Sequence, residues 1–237
     1  MTTPAHVPLD PLSMVAVALD TADRDTFESW ADLFGPRVGV LKVGLEAYVR
    51  WGPPAVEIAR RKGRAIFLDL KLHDIPNTVA GAVRSARDLS VDYLTLHAGG
   101  GSAMIRAAAE AAEGKVALLA VTVLTHLDEA ALLELGLPGG SGERARRWAE
   151  LARSAGAAGV VCSPLEVAEL RSATPRPFKL VTPGIRPAGG SSDDQKRTAT
   201  ASAARAAGAD LLVIGRPLTQ AADPEQALAD LARELQL

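Results

Sequence analysis

Short apolar runs and longer amphipathic runs alternate along almost the whole chain. The short runs are rich in β-branched residues: "MVAVALD" (14–20), "VGVLKV" (38–43), "AIFLDL" (65–70), "DYLTLH" (92–97), "VALLAVT" (116–122), "GVVC" (159–162), "FKLVT" (178–182) and "LLVIG" (211–215). Their length and composition predict buried strands. Between them lie alanine-rich segments with helical spacing, among them "RDTFESWADLF", "PAVEIARRKG", "GSAMIRAAAEAAEG", "ERARRWAELARSAG" and "DPEQALADLAREL". Several open on Asp, Ser or Pro and close near Gly, which is the capping chemistry expected of helices.

Strand–helix alternation repeated eight times predicts a parallel sheet covered by helices. Eight units in this length match an α/β fold of one kind, a single (β/α)8 TIM barrel, typically about 250 residues long. A doubly wound open sheet is the alternative, but no GxGxxG turn follows the first strand. The barrel is expected over 14–237. Residues 1–13, with three prolines and no period, are expected to form an irregular arm.

Composition narrows the function. Apolar residues make up 48% and charged residues 23% of 237, ordinary for a globular protein with a sizeable core. A net charge of −2 and an aromatic content of 4% give no case for binding nucleic acid. No basic-then-apolar leader or membrane-length apolar run is expected, so no membrane partner is either. Cys162 has no second cysteine to pair with, which suits a reducing cytoplasm.

The third strand candidate ends abnormally. In "FLDLKLHDIPNTV" (67–79), Asp69, Lys71 and Asp74 follow one another where the apolar run gives way to a proline. Strand side chains alternate between faces. Ile66, Leu68, Leu70 and Leu72 should therefore face the helices, which turns Asp69 and Lys71 toward the barrel axis. The same parity directs Asp20 inward from the first strand and Lys42 inward from the second. Active sites of these barrels lie at the C-terminal strand ends. Four inward charges at one mouth are costly as packing, since an apolar replacement is often as stable. Asp74 lies two residues before Pro76, where an acid also suits a helix start; its position alone leaves both roles open.

These residues resemble a known family. "LDLKLHDIPNTV" is similar to the signature of the orotidine 5′-monophosphate decarboxylases. So, in order, are "VALD" (17–20), "LKVGLE" (41–46), "LHAGGG" (96–101), "VTVLT" (121–125), "VCSPLE" (161–166), "VTPGIR" (181–186), "DDQKR" (193–197) and "IGRPLT" (214–219). The resemblance implies a homodimeric barrel that converts orotidine 5′-monophosphate to UMP and CO2 with no cofactor and no metal. It implies that Lys42, Asp69, Lys71 and Asp74 form an alternating charge network, with Asp74 entering the neighbouring subunit's site. Lys71 would protonate C6 of the pyrimidine, Asp69 and the partner's Asp74 would border the substrate carboxylate, and Lys42 would hold the network and reach toward the ribose. Asp20 and the partner's Thr78 match ribose positions, and Thr125 a pyrimidine contact. Pro183 would line the pocket, while Arg186, Gln195, Gly215 and Arg216 match the phosphate side. His126 departs from the family, since many relatives carry serine there.

The chemistry supports that assignment independently. Loss of CO2 leaves a vinylic carbanion with no imine to delocalise it, so a fixed ammonium must supply both field and proton. Burial alone would favour the neutral amine, and flanking carboxylates oppose this. The segment 183–198, polar and glycine-containing, reads as a lid over the phosphate. Two alternatives remain: a Mg2+-dependent sugar-phosphate decarboxylase or aldolase of the same suprafamily, and a non-catalytic phosphometabolite-binding barrel. The first needs a metal-binding acid at the second-strand end, where this chain has Lys42. His6, His73, His97 and His126 lack metal-ligand spacing and read as structural or surface residues, as Cys162 reads as an inert thiol.

Overall fold

A computed structural model describes residues 10–187 and 197–236. Eight parallel strands close into one barrel in sequence order. They are β1 (Val15–Ala18), β2 (Val40–Val43), β3 (Ile66–Leu72), β4 (Tyr93–His97), β5 (Ala117–Val121), β6 (Gly159–Val161), β7 (Lys179–Thr182) and β8 (Leu211–Ile214). β1 pairs with both β2 and β8, which completes the ring. The single (β/α)8 barrel expected from the apolar rhythm is therefore the fold. Apart from β3, which extends to Leu72, the strands are shorter than their apolar runs, and the last residues of several runs leave the ladder and form the rim.

Alternation sorts the strand residues into two sets. Ala16, Val40, Phe67, Leu119, Val181 and Leu211 form a small cluster inside the barrel. The opposite parity, including Val17, Leu41, Leu68, Leu94 and Leu212, joins the large core between sheet and helices. Lys42 is two residues beyond Val40, and Asp69 two beyond Phe67, so both inherit the inward face. The helices are amphipathic in the expected sense. Pro53–Lys62, for example, buries Ala55, Val56, Ile58 and Ala59 and ends on three basic residues, which complement its C-terminal dipole.

Of the expected arm, residues 1–9 lie outside the described residues. Pro11–Met14 form a 3₁₀ turn whose Asp10 side chain accepts from the Leu12 amide, so this part of the arm is ordered. Among the described residues no helix is long and apolar enough to cross a membrane.

β3 carries one irregularity. It pairs with β4 as Phe67↔Tyr93 and Leu68↔Leu94, then slips to Leu72↔Leu96. Asp69, Leu70 and Lys71 thus stand opposite Thr95 alone. Lys71 accommodates the bulge by adopting φ 51°, a left-handed conformation disfavoured for any residue with a Cβ. The alternation that predicted an inward Lys71 is broken at that residue.

Candidate active site

A cavity of about 420 Å³ opens at the C-terminal end of the strands. The ends of β1 to β3 contribute Asp20, Lys42, Asp69 and Lys71 to its wall. Thr125 follows β5 and Pro183 follows β7, and both line it. Arg186, Gly215 and Arg216 line it from the segments after β7 and β8. Nine residues singled out in the sequence thus share one cavity. Gln195 and most of the expected lid lie outside the described residues. The two described ends of that segment are tied together, with the Arg186 amide donating to the Ala199 carbonyl at 2.9 Å and the Ala199 amide to that of Gly184 at 3.2 Å.

The charges form a chain of alternating sign. Lys71 Nζ lies 2.8 Å from Asp69 Oδ2, and Lys42 Nζ lies 3.4 Å from the same oxygen. Lys42 also donates to Asp20 Oδ1 at 3.2 Å. The side chains of Lys42 and Asp69 are 7% and 12% exposed, whereas that of Asp20 is 51% exposed. Gly44 makes room for the outer pair: a Cβ there would stand 2.3 Å from Asp20 Oδ1 and 3.1 Å from Lys42 Nζ.

Burial opposes charge on Asp69, but Lys42 and Lys71, with hydrogen bonds from Lys71 and Thr95, outweigh it and hold the carboxyl below its usual range. Burial likewise opposes charge on Lys42, and the fields of Asp69 and Asp20 more than offset it, raising the amine above its ordinary value. Each buried charge is kept ionised by its neighbours of opposite sign.

Thr95 was not singled out in the sequence. It is fully buried, donates to Asp69 Oδ1 at 2.8 Å and accepts from the Lys71 amide at 2.9 Å. The parity rule could have found it, because "YLTLH" places a hydroxyl between Tyr93 and His97 on one face.

Asp74 and Thr78 are exposed and do not line their own chain's cavity. Asp74 is not the cap of the helix Pro76–Asp88, whose N-cap is Ile75 with no side-chain capping bond. The Asp74 carboxylate accepts from the adjacent Ile75 amide, and among the described residues it makes no ion pair.

The histidines divide. His73 stacks on His97 with centroids 5.1 Å apart, and His97 Nδ1 accepts from the Gly99 amide. Burial, His73 and Lys71 keep the His97 imidazole below its ordinary value. His126 is exposed beside Thr125 and does not line the cavity. Burial pushes the Cys162 thiol up, away from the reactive thiolate.

A closed α/β barrel with a chain of ammonium–carboxylate pairs, one of them buried, at one end of its cavity and two arginines farther round the rim defines an enzyme class, one suited to proton and anion chemistry. Comparison with known proteins is more specific. The chain belongs to the orotidine 5′-phosphate decarboxylase / HUMPS family, whose model matches residues 13–231. It is 55% identical to the orotidine 5′-phosphate decarboxylase of Thermobifida fusca over 223 residues, 94% of this chain and 95% of that protein. The enzyme of the same name from an Anaeromyxobacter species is 50% identical over 96% of this chain and its own full length. The crystal structure of orotidine 5′-phosphate decarboxylase from Lactobacillus acidophilus superposes with a TM-score of 0.82 at 35% identity, covering 94% of this chain and 99% of that one.

Proposed function

We propose that this protein decarboxylates orotidine 5′-monophosphate to UMP and CO2, the last step of de novo pyrimidine biosynthesis, as a cytoplasmic homodimer without cofactor or metal. The observation that carries this reading is the Lys42–Asp69–Lys71 chain, with Lys42 and Asp69 buried and Lys71 half-buried, beside a cavity that also reaches Arg186 and Arg216. In the reaction the C6–carboxylate bond breaks and its electron pair stays at C6. A proton then passes from the Lys71 ammonium to C6, and solvent later restores the ammonium. Negative charge thereby moves away from Asp69 and the partner's Asp74 and toward Lys71, so the fixed charges favour the transition state over the bound substrate.

Lys42 holds Asp69 in place, and Asp20 with the partner's Thr78 binds the ribose. Thr125 and Pro183 border the pyrimidine, while Arg186, Gln195, Gly215 and Arg216 take the phosphate. A charge-assisted grip on that remote group helps organise the reacting centre. The dimer is supported by the exposure of Asp74 and of Ile75 beside it, the latter 66% exposed. A reducing compartment suits the unpaired Cys162.

The family name also spans enzymes other than the decarboxylase. Lys42, standing between two carboxylates at the end of β2, repels a divalent cation and supports the metal-free reaction. The test is turnover of orotidine 5′-monophosphate by purified protein in excess EDTA, followed by loss of substrate absorbance. Full activity is expected. A requirement for added Mg2+ would favour the metal-dependent relatives, and binding without turnover a non-catalytic barrel.

A further inference from the structure

The bulge in β3 coincides with the two residues on which the chemistry rests. Between the pairs Leu68↔Leu94 and Leu72↔Leu96, three residues of β3 face one residue of β4. Two of the three are Asp69 and Lys71, and the one is Thr95. A bulge of this kind removes backbone partners, and a buried amide without a partner is unfavourable. Thr95 supplies the missing acceptor through its side chain, since its Oγ1 takes the Lys71 N–H at 2.9 Å. The bond is made where Lys71 holds φ 51°, a conformation that persists only when its surroundings enforce it.

The hydroxyl's own proton is committed elsewhere, to Asp69 Oδ1 at 2.8 Å. That leaves Oδ2 to receive both ammoniums, Lys71 at 2.8 Å and Lys42 at 3.4 Å. A carboxylate held at one oxygen by a neutral donor cannot rotate to exchange its two oxygens between the lysines. One buried hydroxyl therefore fixes the backbone of the proton donor and the plane of the acid beside it.

We propose that Thr95 is a positioning residue of the decarboxylation site: its hydroxyl sets the β3 bulge so that Lys71 and Asp69 meet the reacting carbon in register. This rests on the decarboxylase reading above. Thr95 acts through its two neighbours and need not touch substrate. The phosphate and ribose contacts come from other strand ends, so its loss should affect turnover much more than binding.

The experiment compares full-length wild type with Thr95→Val, which keeps the shape and removes the hydroxyl, and Thr95→Ser, which keeps the hydroxyl. Thr95→Val should lower kcat roughly 10- to 100-fold, the scale of a misplacement near 1 Å. KM for orotidine 5′-monophosphate and the affinity for UMP should stay within about threefold, and Thr95→Ser should recover kcat to within about threefold of wild type. Thr95→Ala serves the same purpose if the valine variant does not fold. The proposal is overturned by a Thr95→Val enzyme with wild-type kcat, by serine failing to rescue, or by kcat and UMP affinity falling together. Loss of the fold in both valine and alanine variants would also overturn it, making Thr95 a requirement of the barrel and not of the site. Wild-type protein inactive in the same assay would instead overturn the decarboxylase reading itself.

Discussion

If Asp74 serves the partner's site, two inactive proteins should make an active one. Lys71→Ala removes the proposed proton donor and its field, and the combined loss should be roughly 10⁴-fold or more. Asp74→Ala removes a carboxylate that does not line the strand-end cavity of its own chain and forms no ion pair among the described residues. Its cost should still be roughly 10²-fold or more if that carboxylate completes a preorganised site across a two-fold interface. Mixed at equal concentration and allowed to exchange, the variants distribute so that about half of all dimers are hybrids. Each hybrid has one site with both defects and one with neither, so about a quarter of all sites regain full function. The assay is decarboxylation of orotidine 5′-monophosphate before and after exchange, with hybrid formation followed through two different affinity tags. Activity near a quarter of wild type is expected. Activity that stays at the parental level once hybrids have formed would refute the trans assignment.

Other perturbations address the network and the cavity. Asp69 titrates below its ordinary 3.8 in the folded chain, so its contribution to stability is present above that pH and is lost as pH falls through the lower folded value. Asp69→Asn should therefore flatten the acid limb of stability measured by urea unfolding at a series of pH values; parallel acid limbs would contradict the ion-pair account. Arg216→Ala should raise KM for orotidine 5′-monophosphate roughly 10- to 100-fold, the worth of a charged hydrogen bond, while leaving affinity for uridine, which lacks the phosphate, unchanged. Equal losses for both ligands would remove Arg216 from the phosphate end. Gly44→Ala places a methyl 2.3 Å from Asp20 Oδ1 and 3.1 Å from Lys42 Nζ, which displaces the Asp20 carboxylate, and should lower kcat/KM about tenfold with little change in melting temperature. An unaffected kcat/KM would show that the outer pair tolerates displacement.

Much of the site could be read from alternation alone. Ala16, Val40 and Phe67 do face the barrel axis, so Asp20, Lys42 and Asp69 could be directed to one mouth from nothing more than a period of two. Asp74 could not be assigned that way, because an acid before a helix-opening proline has two good explanations. The structure removes side-chain capping from the choice, since Ile75 occupies the N-cap and, among the described residues, Asp74 bonds only its neighbour's amide. The role proposed for it, in a second subunit's site, is one that no periodicity within one chain encodes.

Lys71 presents a different case. The parity rule gave it the correct side of the sheet for a reason that does not hold at that residue. Strict alternation from Asp69 would carry Lys71 inward along a regular strand, but the ladder to β4 slips there and the backbone turns left-handed. Its ammonium reaches Asp69 because the bulge directs it, and the bulge is held by a hydroxyl 24 positions away in sequence. Local pattern specifies which residues are polar and which face they would take in an ideal strand. It does not specify where the strand departs from ideal, because that depends on a hydrogen bond between two strands that only the closed barrel brings together. Departures of this kind gather at functional sites, where backbone strain is held in place by the surrounding structure. In this protein the strained backbone of Lys71 and the acid that its ammonium meets both converge on one buried threonine. A regular third strand would have satisfied the sheet equally well and would have left Thr95 with no amide to accept.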